Sequence, residues 1–143
     1  SNLNDFMVNR QNLSLIITNK GHNLFDLSAQ SPVLLVFLRH FGCVFCKESL
    51  YDVATKRGKF ESEGIKIVLV HMADSQTAES YFKEFGLQNI EHVSDPDCKN
   101  YAVFGLVKGY TIKEAILFSK RMAELSVTKV GTYVIQKDDI LGK

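Results

Sequence analysis

PVLLVFLRHFGCVFCKESL, residues 32–50, changes its periodicity halfway along. Val33 to Leu38 is an unbroken apolar run bounded by Pro32 and Gly42, the pattern of a strand covered on both faces. Beyond Gly42 the period turns helical. Leu50, Val53, Ala54 and Phe60 fall near 3.6-residue spacing, with Lys47, Glu48, Asp52, Lys56 and Lys59 on other faces, until Gly64. That spacing predicts a helix of about five turns. Gly42 thus marks a strand-to-helix turn, which sets Cys43 at or beside the helix N-terminus and Cys46 one turn further on.

The flanking segments extend the alternation. IKIVLVHM, residues 65–72, predicts a second buried strand, and Ala78, Tyr81, Phe82 and Phe85 form an i, i+3, i+4, i+7 stripe that Gly86 closes. Strand, helix, strand, helix implies parallel strands with right-handed crossovers and helices over the sheet. His92-Val93-Ser94 predicts a short strand. Asp95-Pro96-Asp97 supplies an N-cap with proline at the first helical position, so a short helix is expected over residues 98–104. Thr111 to Glu114 reads as a capping box opening a helix through Ile112, Ala115, Ile116, Met122 and Ala123. GTYVIQ, residues 131–136, predicts the last clear strand. Near the start, LSLIIT from Leu13 predicts a strand, NKGHN a turn containing His22, and LFDLS an antiparallel return.

Composition sets the bounds. The chain has 143 residues, enough for one domain with a sizeable core, and no repeat, linker or low-complexity tract divides it. Seventeen basic and sixteen acidic residues are scattered, which leaves no electrostatic footprint for nucleic acid or an anionic membrane. The longest apolar run is too short to span a bilayer and no leader pattern opens the chain, so the expected location is the cytoplasm. Three cysteines are too few, and odd in number, for the disulfide framework of a small secreted domain.

Cys43-Val-Phe-Cys46 has three readings: a redox pair, half of a zinc site, or two small apolar core residues. Positions i and i+3 of a helix lie about 5–6 Å apart at Cβ, within reach of a reversible bridge once a first turn adjusts. Unpaired N–H groups and the helix dipole favour a thiolate there, and such motifs bring the first cysteine from about 8.5 to roughly 3.5–7.5. Arg39, His40 and Lys47 add positive charge nearby. The candidate nucleophile is therefore Cys43, with Cys46 as the resolving thiol. A zinc site would need Cys98, His71, His92 or His40, which are scattered rather than clustered. The strand-glycine-helix context favours the redox pair over zinc or plain packing.

PVLLVFLRHFGCVFCKESL, IKIVLV, VSDPDCKNYAVFGL and GTYVIQKDDI together resemble the thioredoxin fold, and within it the peroxiredoxin-like alkyl hydroperoxide reductase and thiol-specific antioxidant (AhpC/TSA) superfamily. The RxxGCxxC segment, residues 39–46, is similar to the CxxC-bearing branch that includes prostamide/prostaglandin F synthases. The resemblance implies an α/β, thioredoxin-like fold: a central mixed β-sheet with helices on both faces. It also implies a single domain over residues 1–143 lacking its C-terminal strand and helix. The implied function is a thiol-disulfide oxidoreductase or antioxidant that uses Cys43 and Cys46 to reduce a disulfide or peroxide. No cofactor or metal is implied, and the partner is a dithiol donor such as a thioredoxin- or glutathione-type reductant.

The chain departs from the family pattern at several positions. Typical peroxiredoxins carry PxxxTxxC, where this chain has Val36 and His40, and an arginine ahead of the late strand, where it has Val130. Thioredoxin's motif interior is Gly-Pro rather than Val-Phe, and Phe37 stands where thioredoxin has a buried acid. Aligned on GTYVIQ, Gly131 takes the place of the cis-proline and leaves room for a substrate chain. Arg39, His40, Gly42, Lys47 and Gly131 are therefore the supporting site residues, with His40 a candidate general base or charge partner. Phe41, Phe45 and Tyr110 would form the surface of a redox-inactive binding module, the alternative function. Cys98 reads as an incidental thiol or an intermolecular partner.

Overall fold

The computed structural model describes residues 8–106, 114–121 and 124–131. Five strands form one mixed sheet: β1 (Val33–Phe37), β2 (Lys66–His71), β3 (Glu91–Ser94), β4 (Glu114–Arg121) and β5 (Glu124–Gly131), in the order β3-β2-β1-β4-β5. β1, β2 and β3 are mutually parallel, whereas β4 runs antiparallel to both β1 and β5. β1 is central and buried along its whole length, as its unbroken apolar run requires.

Alternation along β1 divides the core into two layers. Leu34, Val36 and Leu38 face α3 (Val44–Ser62) and α4 (Ser75–Glu84), packing with Cys46, Leu50, Val53, Ala78 and Phe82. Val33, Leu35 and Phe37 face α1 (Arg10–Ser14), α2 (Leu24–Gln30) and α5 (Lys99–Val103), packing with Leu13, Leu24, Leu27 and Tyr101. Helices thus cover both faces. Each fully buried Leu, Phe or Val contributes about 1.5–3 kcal/mol of transfer free energy. Gly64 and Gly86 follow α3 and α4 with φ of +82° and +76°, the left-handed conformation a helix stop uses.

Three expectations are corrected. The segment from Leu13 is not a strand: Asn9 accepts from the Asn12 N–H to start α1, which takes Leu13 and Ser14, and strand pairing shrinks to one antiparallel bridge, Ile17 to Asn23. LFDLS is helical because the Asn23 side chain accepts from the Asp26 N–H at 2.8 Å and caps α2. The helix expected from Thr111 is replaced, from Glu114 on, by β4, with Ile116 and Phe118 buried on one face and Leu117 packing on the other. Pairing with β1 and β5 overrides a short helical period. Of GTYVIQ only Gly131 lies within the described residues, as part of β5, and the remainder of that expected strand lies outside them.

Candidate active site

Helix α3 begins immediately after Cys43, which is its N-cap residue with extended backbone (φ −83°, ψ 135°). The Cys43 carbonyl accepts from the N–H groups of Cys46 (3.0 Å) and Lys47 (3.3 Å), and its own N–H donates to the His40 carbonyl at 3.0 Å. His40 to Cys43 is thus a tight turn joining β1 to α3. The Cys43 side chain makes no cap hydrogen bond, and it belongs to the N-terminal end of α3, a place in a helix where unpaired amides favour negative charge. Cys43 is half-buried.

Cys46, one turn further on, points into the α3–α4 core layer and is 1% exposed. Burial, with the neighbouring Cys43 charge as the second cause, pushes its thiol up from 9.0 to about 12. The two sulfurs therefore differ in access: one at the rim, one protected.

The supporting residues fall around this turn. Arg39 is half-buried with its guanidinium 6.0 Å from the Phe45 ring centroid. His40 is exposed and folds over Gly42: a Cβ added to Gly42 would lie 3.5 Å from His40 Nδ1. Gly42 has no positive φ, so its conformation is open to other residues. Lys47 is exposed in the first turn of α3. Gly131 pairs with Ala115, which pairs with Val36, so it lies two strands away from β1, at the sheet end that carries the motif. Tyr110 lies outside the described residues.

The residues named for a zinc site are not brought together. Cys98 is buried in the opposite core layer from Cys46, at a left-handed φ of 57° ahead of α5. The Asp95 carboxylate accepts there from the N–H groups of Lys99, Asn100 and Tyr101, while Pro96 and Asp97 precede the helix instead of starting it. Among the described residues no group of three or more His, Cys, Asp or Glu side chains is arranged to hold a metal ion.

His71 and His92 are both 0% exposed and bond each other, Nε2 to Nδ1, at 2.9 Å. The His71 Nδ1 accepts from the Ala73 N–H, which fixes the proton on Nε2. His71 therefore donates to His92, whose Nε2 faces Glu79 at 3.3 Å. Burial and the charge of His92 pull His71 down to about 3, so it is neutral. His22, the turn histidine, bonds the buried Glu91 through Nδ1 at 2.7 Å.

Two tyrosines were missed as site residues. Tyr81 belongs to the apolar stripe of α4 and is read from spacing as core, yet its hydroxyl donates to the Phe41 carbonyl at 2.7 Å. Tyr101, from α5, donates to the carbonyls of Leu38 (2.6 Å) and Val70 (3.2 Å) at the ends of β1 and β2. Neither hydroxyl is foreshadowed by a local motif, because both bonds join segments distant in the chain.

A mixed sheet with a CxxC at the junction of its central strand and following helix defines a thioredoxin-like fold. The AhpC/TSA family matches residues 3–143, so the chain belongs to that family. A secreted Mycobacterium tuberculosis disulfide oxidoreductase homologous to E. coli DsbE is similar in structure, with TM-score 0.64 at 16% identity over 92% of this chain and 95% of that one. Xanthomonas campestris bacterioferritin comigratory protein gives 0.61 at 16% identity over 82% and 81%. At these identities the likeness is one of fold. In sequence, the chain is 25% identical over 87 residues (61% of its length) to the thioredoxin-like protein AAED1, chloroplastic, of Arabidopsis thaliana. It spans 35% of that relative's length. No helix among the described residues is long and apolar enough to cross a membrane.

Proposed function

We propose that the chain is a thiol-dependent reductase of disulfides or peroxides, with Cys43 as nucleophile and Cys46 as resolving thiol. The observation that carries this reading is the asymmetry of the pair: Cys43 half-buried at the N-cap of a 19-residue helix, Cys46 buried one turn on.

With a disulfide substrate, the Cys43 thiolate attacks one sulfur, forms a mixed disulfide and releases the other sulfur as a thiolate. With a hydroperoxide it attacks the O–O bond, leaving Cys43 as sulfenic acid and releasing the alcohol. Cys46 then gives up its proton and attacks the Cys43 sulfur, closing the Cys43–Cys46 bridge and expelling the substrate thiolate or water. The Cys43 charge that helps hold the Cys46 thiol up is gone once Cys43 is bonded, so resolution becomes easier only after the first step. An external reductant, one dithiol of thioredoxin type or two equivalents of glutathione, reduces the bridge and leaves as its own disulfide.

The exposed His40 folds over Gly42, and the cationic side chains of Arg39 and Lys47 flank the same turn. Val36 and Phe37, where the family has its proline and thioredoxin its buried acid, are 1% and 0% exposed and fill core positions. The test is a side-by-side assay of the reduced protein on insulin disulfides, hydroperoxides and prostaglandin-type endoperoxides, each with wild type and Cys43→Ser. Turnover of one class, lost in Cys43→Ser, supports the proposal. No turnover of any class, or turnover that survives Cys43→Ser, refutes it.

A further inference from the structure

We infer that Tyr81 is a positioning residue for the thiol pair, holding the His40–Cys43 turn from α4 so that Cys43 is kept ready to bridge with Cys46. The inference rests on the redox reading above.

Phe41 sits inside that turn, two residues before Cys43. Tyr81 grips it twice: its hydroxyl donates to the Phe41 carbonyl at 2.7 Å, and its ring stacks on the Phe41 ring at 4.3 Å and 16°. Phe82 and His71 close the other sides of the Phe41 ring, at 5.6 and 5.7 Å. His71 adds packing alone, since both its nitrogens are engaged elsewhere, by Ala73 and His92. Tyr81 is anchored in turn against Phe85, at 5.3 Å, which meets Tyr51 of α3 at 5.1 Å. The turn, α4 and α3 are therefore tied into one aromatic cluster, with the hydroxyl bond as its directional member. Burial, and then the nearby Cys46 and Glu84, raise the Tyr81 pKa, so the donor persists across the working range.

The consequence follows from preorganisation. Closing a bridge between i and i+3 requires the turn and the first helical residues to give up freedom, and a turn already held gives up less. Without the hydroxyl the dithiol form gains freedom that the bridged form, tied covalently, does not. One hydrogen bond of ordinary strength corresponds to a factor of roughly three to ten in the bridging equilibrium.

The experiment equilibrates wild type, Tyr81→Phe and Phe85→Leu with glutathione at graded thiol:disulfide ratios and measures the Cys43–Cys46 bridge by mass spectrometry after acid quench. Phe85→Leu is the control: it removes packing from the same cluster but leaves the hydroxyl bond in place. Tyr81→Phe is expected to shift the bridging constant about fivefold toward the dithiol, close to 20 mV at 29.6 mV per tenfold. Phe85→Leu is expected to lower stability while its constant stays within twofold of wild type. A Tyr81→Phe constant equal to wild type, or shifted toward the bridge, overturns the positioning role alone. Equal shifts in both variants reduce Tyr81 to general packing and overturn it too. A wild type that forms no bridge at any ratio overturns both this inference and the redox reading.

Discussion

Tyr101→Phe isolates one buried hydroxyl at the strand end that leads into the motif. Tyr101 is 2% exposed and its ring meets Phe37 edge-on at 5.1 Å, contacts that phenylalanine preserves, so no cavity forms. What is lost is the donor shared by the Leu38 and Val70 carbonyls, at 2.6 and 3.2 Å. Val70 keeps the Leu38 N–H at 2.9 Å, so the cost falls mainly on the Leu38 carbonyl. A buried group deprived of a partner costs about 1–3 kcal/mol. Taking about 2 kcal/mol, and roughly 2–4 °C per kcal/mol for a domain near this size, Tm falls by about 6 °C. Tyr81→Phe strips a carbonyl at a partly buried turn, where water can replace the donor, and is expected to cost about 0.5–1 kcal/mol. Urea melts of both variants measure the order directly. A Tyr101→Phe loss below about 0.5 kcal/mol at unchanged m-value, or a larger loss in Tyr81→Phe, refutes the claim that Tyr101 clamps the ends of β1 and β2.

Three further outcomes are expected. In the reduced native protein at pH 8, iodoacetamide labels Cys43 ahead of Cys46, whose pKa of about 12 leaves roughly one thiolate in ten thousand; comparable rates by peptide mass mapping contradict the assigned asymmetry. Glu91 is buried, which raises its carboxyl, but hydrogen bonds from Thr18 and His22 and the charge of Lys66 outweigh burial and set it below its ordinary 4.5. Its contribution is therefore full above that value and lost as pH falls through the depressed folded value, so Glu91→Gln destabilises by about 1–3 kcal/mol at pH 7 and flattens the acid limb; parallel melts from pH 7 to 3 with identical slopes refute this. Gly42→Ala folds and retains bridge formation, because the position has no positive φ and the new methyl meets His40 at ordinary contact distance; a loss above about 1 kcal/mol in urea melts contradicts that.

The central architecture was legible because its signals are long and local. An apolar run at β1, a five-turn period at α3 and a second run at β2 each carry their own pattern, and together they place Cys43 and Cys46 at the strand-helix junction. The edges were harder. Asn9 and Asn23 cap short helices in a segment whose apolar residues also suit a strand, and the side-chain caps decide it. At Glu114 a capping box and a few apolar positions mimic a helix, but the vacant edge of β1 takes the segment as a strand, a choice made by long-range pairing. At the candidate site the placement of the cysteines was legible and the reach of the tyrosines was not. Tyr81 and Tyr101 sit on apolar faces by spacing, and only the fold brings their hydroxyls to carbonyls 40 and 63 residues away in sequence. The histidines behave alike: His71 and His92 are scattered in the sequence, and their bond depends on β2 pairing with β3.

The account stands on the chemistry of one pair of sulfurs, and mapping the bridge tests it most directly. Reduced Cys98→Ser protein, treated with one equivalent of hydroperoxide or glutathione disulfide, is quenched in acid and digested under non-reducing conditions. The account predicts a loss of two hydrogens located in a Cys43–Cys46 bridge, and in Cys46→Ser an unresolved sulfenic acid or glutathione adduct on Cys43. An untouched pair, or an adduct that settles on Cys46 while Cys43 remains free, would contradict it.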